Sequence, residues 1–395
     1  MNHVFRSLYK VRPQHSAKIH SIFKASEMQV PRQLPIAAVI AMSDSKGILQ
    51  QVSASAPEGG RYRLDDNVRA LMLMSAAEGL PPSDRMCWST TFAAFVQAAW
   101  EMQRGHFREI MHSDGRWSGC EASEDAYGQA LWGLGHAAEL APLPDIRNWA
   151  RCFYDRVMEW PAELGSPLAI ALKTLGAGAM LRACPGHAAA RDALQQGGDI
   201  LQKLLGGERR PDWAWFEAVV AQESPRLPQA LIEAGAALGR DDWVASGVET
   251  LEWVCGHQVS STGFFRPIGS ELHGTGYVSP TADRQPLEAQ ATIEACLTAH
   301  MAHASELWFQ HAMTAWRWFL GGNDQSLPIA DLATGRCRGG MGGAGAHLDC
   351  GAESTLAFQL AHCAMLALHR RSHDALAPRS QNDTREIAAA EPLRA

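Results

Sequence analysis

The sequence predicts an all-α protein, an (α/α)6 toroid of the six-hairpin kind, on three observations. From Asp66 to about His369 the chain reads as helix after helix, eleven in all, with apolar residues at helical spacing. Short turns on one side alternate with longer loops on the other, which suggests stacked helical hairpins. The odd-numbered starts, near residues 66, 124, 167, 225, 285 and 351, mostly carry acidic, polar or Trp-bearing motifs. The even-numbered starts, near 86, 145, 187, 241 and 305, are ordinary surface caps. That alternation fits an inner ring of six helices whose N-terminal ends converge on one mouth, covered by an outer ring. The count leaves the outer ring one helix short, and the segment before residue 30 is the candidate to supply it.

Residues 1–30 are polar and mixed, with a possible helix over Ser16–Met28. Leu34–Met42 is short and apolar, reads as a strand or extended packing segment, and ends at the turn signal Ser43-Asp44-Ser45-Lys46-Gly47. Gln50–Tyr62 is a loop into the first helix, Asp66–Glu78, which Gly79 and Pro81-Pro82 end. Met86–Arg104 follows, with Trp88, Phe92, Phe95, Val96 and Trp100 at helical spacing. After a loop over His106–Glu121, helices are expected from Ser123, over Pro144–Trp160, Leu168–Arg182, His187–Leu205, Pro225–Leu238 and Asp241–Gln258. The last three are expected from about Gln285 to Ala304, over Ser305–Leu320, and from Gly351 to His369. Ser166-Pro167 and Ser224-Pro225 each read as an N-cap followed by proline at the first helical position. The expected domain is 31–369, with a disordered tail over 370–395.

The bulk numbers bound the function. A chain of 395 residues that is 46% hydrophobic and 19% charged can bury a large core. A net charge of -7 and a pI near 6.1 argue against a nucleic-acid surface. No run of eighteen apolar residues exists, so no membrane span is expected. Met1–Ile22 has no apolar core or small-residue cleavage site, so no secretory signal is expected. The nine cysteines include no CxxC pair, which fits reduced thiols in a cytoplasm. Thirteen tryptophans suit a core, and beside acidic helix starts they also suit sugar rings.

If the inner helices start at one face, the loops before them build one pocket. Cleaving a glycosidic bond needs one protonated carboxyl for the leaving oxygen and one ionised carboxylate. Asp65-Asp66-Asn67, with Arg69 on the same turn, carries the highest local acid density. Its simpler reading is an N-cap at Asp65 with acids favouring the helix dipole. Glu124-Asp125 after Ser123 reads the same way. Asp212-Trp213-Ala214-Trp215-Phe216-Glu217 would place alternate Trp rings beside Glu217 if extended, as a stacking platform; the competing reading is an aromatic plug. Asp66, Asp125 and Glu217 are the expected catalytic acids. Asp65, Asn67, Arg69, Trp213, Trp215, Arg226, Asp283, Gln285, Glu288, Asn323, Asp324 and Glu353 are the expected substrate-binding residues, with Arg226 available for a carboxylate or a hydroxyl pair. Asn323-Asp324 would sit on a loop covering the pocket, turn chemistry being the simpler reading.

Other chemistries find less support. His347 and Cys350 lack a second Cys at metal spacing, and His300 and His303 lack an HExxH context, so no metal is expected. Gly339–Gly345 matches neither a P-loop nor a GxGxxG after a strand, and no GxSxG elbow occurs, so no cofactor is expected.

Several motifs in order carry a family resemblance. Gly60–Leu71 (GRYRLDDNVRAL), Glu124–Leu134 (EDAYGQALWGL), Asp212–Leu231 (DWAWFEAVVAQESPRLPQAL), Phe265–Ala289 with PIGS and DRQPLEA, and Phe319–Ala357 with FLGGNDQSLPIAD and GAESTLAF resemble a bacterial family of six-hairpin, glycosidase-like toroids. Its members occur alone or as the C-terminal region of group 1 glycosyltransferase proteins. The resemblance spans roughly residues 35–367 and implies an (α/α)6 fold and a carbohydrate-related role. It departs at Glu223-Ser224-Pro225, where relatives have Asp-Asn, and at Asp349-Cys350, where they have Asn-Gln. Both positions lie near the expected mouth.

The expected function is cleavage of a glycosidic bond in an oligosaccharide or glycan. The alternatives are a non-catalytic glycan-binding partner of a glycosyltransferase and a sugar epimerase. The last would want histidine at the mouth, and none stands in the inner-helix motifs.

Overall fold

A computed structural model describes residues 30–50, 60–118, 123–160, 163–268, 272–273 and 283–376. The chain divides into Met1–Arg32 and a unit over Gln33–Ala395 that holds all the elements below. The expected helix at Ser16–Met28, and with it the candidate sixth outer helix, lies outside the described residues, as does the chain beyond 376.

The second unit is a closed double ring. Its inner helices are α2 (Leu64–Ala76), α4 (Glu124–Leu140), α6 (Pro167–Ala183), α8 (Arg226–Leu238), α10 (Pro286–Ala302) and α12 (Ala352–Leu376). Each packs on the next, and α12 packs back on α2. The outer helices α3 (Pro82–Ala99), α5 (Pro144–Met158), α7 (Ala188–Glu208), α9 (Asp241–His257) and α11 (Glu306–Phe319) each pack on the inner helix that precedes them. This is the expected all-α (α/α)6 toroid.

Local chemistry sets the ends. Ser123 and Ser166 cap α4 and α6, accepting the N–H groups of Ala126 (3.2 Å) and Ala169 (3.3 Å). The second expected helix starts at Pro82, not Met86, because Pro82 takes the first helical position, where it loses no bond. It stops at Ala99 because Trp100-Glu101 (β4) turns to pair with His106-Phe107 (β5).

Leu34–Met42 is neither strand nor extended. Its alanine-rich centre forms a short helix, α1 (Ala37–Ala41), which buries Ala38 and Val39. The hairpin β1–β2 (Ser43–Asp44, Gly47–Ile48) follows across the expected turn. The last helix runs beyond His369 through Leu376, so the expected tail over 370–395 begins as helix.

The α4–α6 contact is the closest in the ring. A Cβ at Gly135 would lie 2.1 Å from the Gly176 carbonyl oxygen, and one at Gly176 2.4 Å from that of Leu131. Only glycine lets the two backbones meet so closely.

The loops at the N-terminal ends of the inner helices carry short strands rather than open coil. β3 (Arg61–Arg63), β6 (Ile110–His112) and β7 (Trp117–Ser118) form one three-stranded sheet. β8 (Val219–Val220) pairs with β9 (Leu272–His273). The hairpins β10–β11 (Ala330–Asp331, Arg336–Cys337) and β12–β13 (Met341–Gly342, Gly345–Ala346) precede α12. These strands fix the mouth onto which the inner helices open.

Candidate active site

The first turn of α2 supplies three polar groups with different fates. Asp65 is not the N-cap; Arg63 holds that position and makes no side-chain cap. The Asp65 carboxylate is instead gripped by the Arg63 guanidinium, with Nε at 3.0 Å and Nη2 at 3.1 Å, and lies 3.6 Å from Arg69 Nη1. Those two guanidiniums outweigh its burial and hold its carboxyl below the usual range. Asn67 staples α2 to the preceding hairpin: its Oδ1 accepts the Ile48 N–H (2.9 Å) and its Nδ2 donates to the Arg63 carbonyl (2.7 Å). Fully buried in that role, it offers the mouth nothing.

Asp66 is fully buried, and neither of its oxygens has a hydrogen-bond partner. Burial first, then the charges of Asp65 and Glu353, push its carboxyl well above the ordinary value, towards the protonated form. Glu353, in the first turn of α12, is half-buried. Burial raises its carboxyl too; Asp65 and Glu223 add to this and Arg69 opposes it. Asp65, Asp66 and Glu353 each place an oxygen within 4.8 Å of the others. The ring brings three acids together from α2 and α12, with one held ionised and two pushed towards the protonated form. The same three oxygens are the donors a cation would use, and Arg63 and Arg69 already neutralise part of their charge.

Deeper in the ring lies a network of buried ion pairs. Arg69 Nη2 donates to Glu223 Oε1 at 2.8 Å. The other oxygen of Glu223 lies 3.4 Å from Arg226 Nε. Arg226 is fully buried, pairs with Glu294, donates to Gln229 Oε1 (3.0 Å), and stacks 4.4 Å over the Trp132 ring. The carboxylates it binds are therefore the protein's own. Glu288, in the first turn of α10, accepts from Ser224 Oγ and Gln258 Nε2, both at 3.4 Å. Burial, with Glu223 nearby, pushes it up to about 8.

A second carboxylate pair stands where α4 begins. Asp125 is exposed and accepts from Ser166 Oγ (2.6 Å), while Glu124 binds the backbone N–H groups of Gly165 and Ser166. Glu217 lies within reach of the Asp125 charge; burial first, then that charge, raises its carboxyl. The tryptophans beside it turn inwards. Trp215 is fully buried and Trp213 nearly so; Trp215 stacks on Trp253 at 6.1 Å, and Trp213 meets the same ring edge-on at 5.2 Å. Trp213 also donates to the Glu217 carbonyl (2.8 Å). They form an aromatic plug, and neither presents a face to a sugar in this structure.

The remaining expected residues are scattered. Asp283 is exposed and lies 3.0 Å from His347 Nε2; it does not cap α10, whose N-cap is Gln285 without a side-chain bond. Asn323 is fully buried in its own turn, donating to the Trp318 (3.0 Å) and Leu327 (2.8 Å) carbonyls. Asp324 binds Arg266 (2.8 and 2.9 Å) and Arg284 (3.4 Å), tying the loop before α10 to the loop after α11. Arg63 and Glu294 are the residues of the network that sequence reasoning passed over, and Glu223 entered it only as a departure from the family resemblance. Arg63 left a local signal, as a cation two residues before an acid.

No protein-family model matches the chain, and no curated protein matches it in sequence. Solved structures do match, over nearly the whole chain. A cellobiose 2-epimerase from Spirochaeta thermophila superposes with a TM-score of 0.65 at 15% identity, covering 93% of this chain and 100% of that one. A D-mannose isomerase gives 0.65 at 12% identity, covering 85% and 95%. A GH76 alpha-mannanase from Bacteroides thetaiotaomicron gives 0.53 at 9% identity, covering 82% and 93%. At these identities the likeness establishes the six-hairpin (α/α)6 toroid, the class that the closed ring already defines.

Proposed function

We propose that the protein is a carbohydrate-active enzyme that cleaves a glycosidic bond in an oligosaccharide or glycan. The observation that carries this reading is the meeting of three carboxyls within 4.8 Å in unlike surroundings, Asp65 held down between two arginines and Asp66 and Glu353 pushed up by burial. Titratable groups pushed apart by their surroundings are how one site holds an acid and a base at one pH. Asp65, ionised between two arginines, is the nucleophile or the stabiliser of positive charge at the anomeric carbon. Glu353, the half-buried acid with a raised carboxyl, donates to the leaving oxygen. Asp66, fully buried and pushed towards its protonated form, stands beside them. An approach of 4.8 Å between their nearest oxygens is closer to the carboxyl separation of retaining enzymes, about 5–5.5 Å, than to the about 6.5–9.5 Å of inverting ones, so retention is expected. Asp125 and Glu217 are the second acid pair for the same assignment.

The neighbours whose names are epimerase and isomerase support a second reading, rearrangement of a reducing sugar on the same toroid. A third is glycan binding without catalysis, as the partner of a glycosyltransferase. Among the described residues no helix is long and apolar enough to cross a membrane. The eight described cysteines are all free, which supports the cytoplasmic setting we propose.

One experiment separates the readings: ¹H NMR of manno-, gluco- and galacto-oligosaccharides with the wild type and with Asp65→Asn, Asp66→Asn, Glu353→Gln, Asp125→Asn and Glu217→Gln. Cleavage with retained anomeric configuration, lost in Asp65→Asn and Glu353→Gln while binding persists, is the expected result. Loss confined to Asp125→Asn and Glu217→Gln would move the chemistry to the second pair. A new epimer without cleavage would replace hydrolysis by rearrangement, and sugar binding alike in every variant would leave only the binding role.

A further inference from the structure

We infer that Glu223 is a positioning residue for the acid pair: from the opposite side of the ring it holds Arg69, and so sets how much of that guanidinium reaches Asp65 and Glu353. The inference rests on the glycosidase reading for its consequence in catalysis, but not for its geometry.

Three observations carry it. Glu223 is buried with φ at +53°, in the left-handed region that favours glycine; Ser326 is the only other such non-glycine among the described residues. A glutamate kept there is held by its surroundings, and such strain gathers at functional sites. Its carboxylate then bridges two arginines of different helices, Arg69 of α2 and Arg226 of α8. Since α8 stands three positions from α2 in a ring of six, this bridge spans the ring rather than joining neighbours. Finally, Arg69 is divided. It lies 2.8 Å from Glu223 but 3.6 Å from Asp65, and its Nε and Nη1 make no hydrogen bond. A glycine at 223 would relieve the backbone and return the whole guanidinium to the α2–α12 acids.

The charged groups around Glu353 are Asp65, Asp66, Arg63 and Arg69 from the α2 side and Glu223 from the α8 side. Around Glu223 they are Arg69, Arg226 and Glu288. Removing the Glu223 charge takes away one anion that disfavours ionisation of Glu353 and frees a cation that favours it. Both effects have the same sign, so the Glu353 proton leaves at lower pH.

The test is a carboxyl ¹³C NMR titration of protein labelled at glutamate Cδ, with the Glu353 signal assigned by its absence from Glu353→Gln. In Glu223→Gln the Glu353 midpoint falls by on the order of one pH unit. In Glu223→Asp, where the charge stays but retreats by one methylene, it falls by less. If the Gln variant does not fold, the Asp variant still has to move the midpoint in the same direction. A midpoint unmoved in the folded variants overturns the inference, whatever the sugar assays show. If the wild type cleaves a glycan, the alkaline limb of its kcat profile moves down with the NMR midpoint while KM changes little. If it cleaves nothing, the glycosidase reading falls and the titration still decides the role of Glu223.

Discussion

The α4–α6 seam and the floor of the mouth close the same ring by opposite means. At the seam, Gly128, Gly135 and Gly176 remove side chains until two backbones touch. At the floor, Arg69, Glu223, Arg226 and Glu294 fill the space with charge, and Glu288 is buried beside them. The seam gains dispersion from tight packing and desolvates only backbone already bonded within its helices. The floor desolvates whole ions, and several of its atoms, including both Asp66 oxygens, Glu288 Oε1 and Arg226 Nη2, are left without partners. A fold that needed only to close its ring could have used the seam's solution throughout. The expensive solution stands where the inner helices begin, beside the acids.

The sharpest way to break this contrast is to empty the floor. Arg226→Ala removes the cation shared by Glu223 and Glu294 and the group stacked on Trp132, leaving Glu294 without its ion pair and Glu223 with Arg69 alone. The expected cost is about 3–5 kcal/mol, read from denaturant unfolding. Arg226→Met, which keeps the bulk, should still lose much of this unless Glu294 is neutralised as well. If Arg226→Ala unfolds like wild type, the floor carries no ion pair of consequence.

The seam should respond next most strongly. Gly176→Ala puts a methyl 2.4 Å from a backbone oxygen, and a helix backbone cannot step aside as a side chain can. A loss of about 1–3 kcal/mol is expected, together with helix propensity that favours alanine and so makes the sign diagnostic. Gly206→Ala is the control: a helical glycine with nothing near its Cβ, where the same change should stabilise slightly. A stabilised Gly176→Ala would mean the α4–α6 contact is looser than described.

The two regions also differ in how far the sequence reveals them. Serine caps at 123 and 166, prolines at first helical positions and the helical spacing of apolar residues are local signals, and they located the inner helices to within a few residues. The acids of the mouth were legible as residue types at helix starts. Their pairing was not, because Asp66 meets Glu353 only when the first inner helix and the last come together. Trp213 and Trp215 could be read as platform or plug, since the burial that decides between them comes from Trp253 on the following outer helix. Asn323 had the simpler turn reading, and that is its role here. Glu223 stood out only as a departure from the family resemblance and gave no sign of its conformation: a left-handed position usually announces itself as glycine or asparagine, and here the Arg69 and Arg226 contacts hold a glutamate in it. Leu34–Met42 failed for a local reason, as an apolar run too short for its period to separate strand from helix.

The last contrast is in pH. Gly128, Gly135 and Gly176 bring no titratable side chain to the seam, whereas Glu288 on the floor is pushed up to about 8 from an ordinary 4.5. A carboxyl raised on folding binds its proton more tightly in the folded state. Its contribution is fully present below the unfolded value, near 4.5, and is lost as pH rises through about 8. Stability should therefore decline from pH 5 to 8, with a slope approaching about 1.4 kcal/mol per pH unit for one fully differing proton. Glu288→Gln keeps the shape and the bonds from Ser224 and Gln258 but cannot ionise. It should match the wild type near pH 5, exceed it at pH 8, and flatten the slope between, all measurable by urea unfolding across the range. Asp66 and Glu353 add to the wild-type slope in the same direction and stay in the variant, so the change is a reduction and not an abolition. Parallel wild-type and Glu288→Gln curves would show that Glu288 is ionised in the folded protein and that Ser224, Gln258 and the α8 N-terminus solvate its charge.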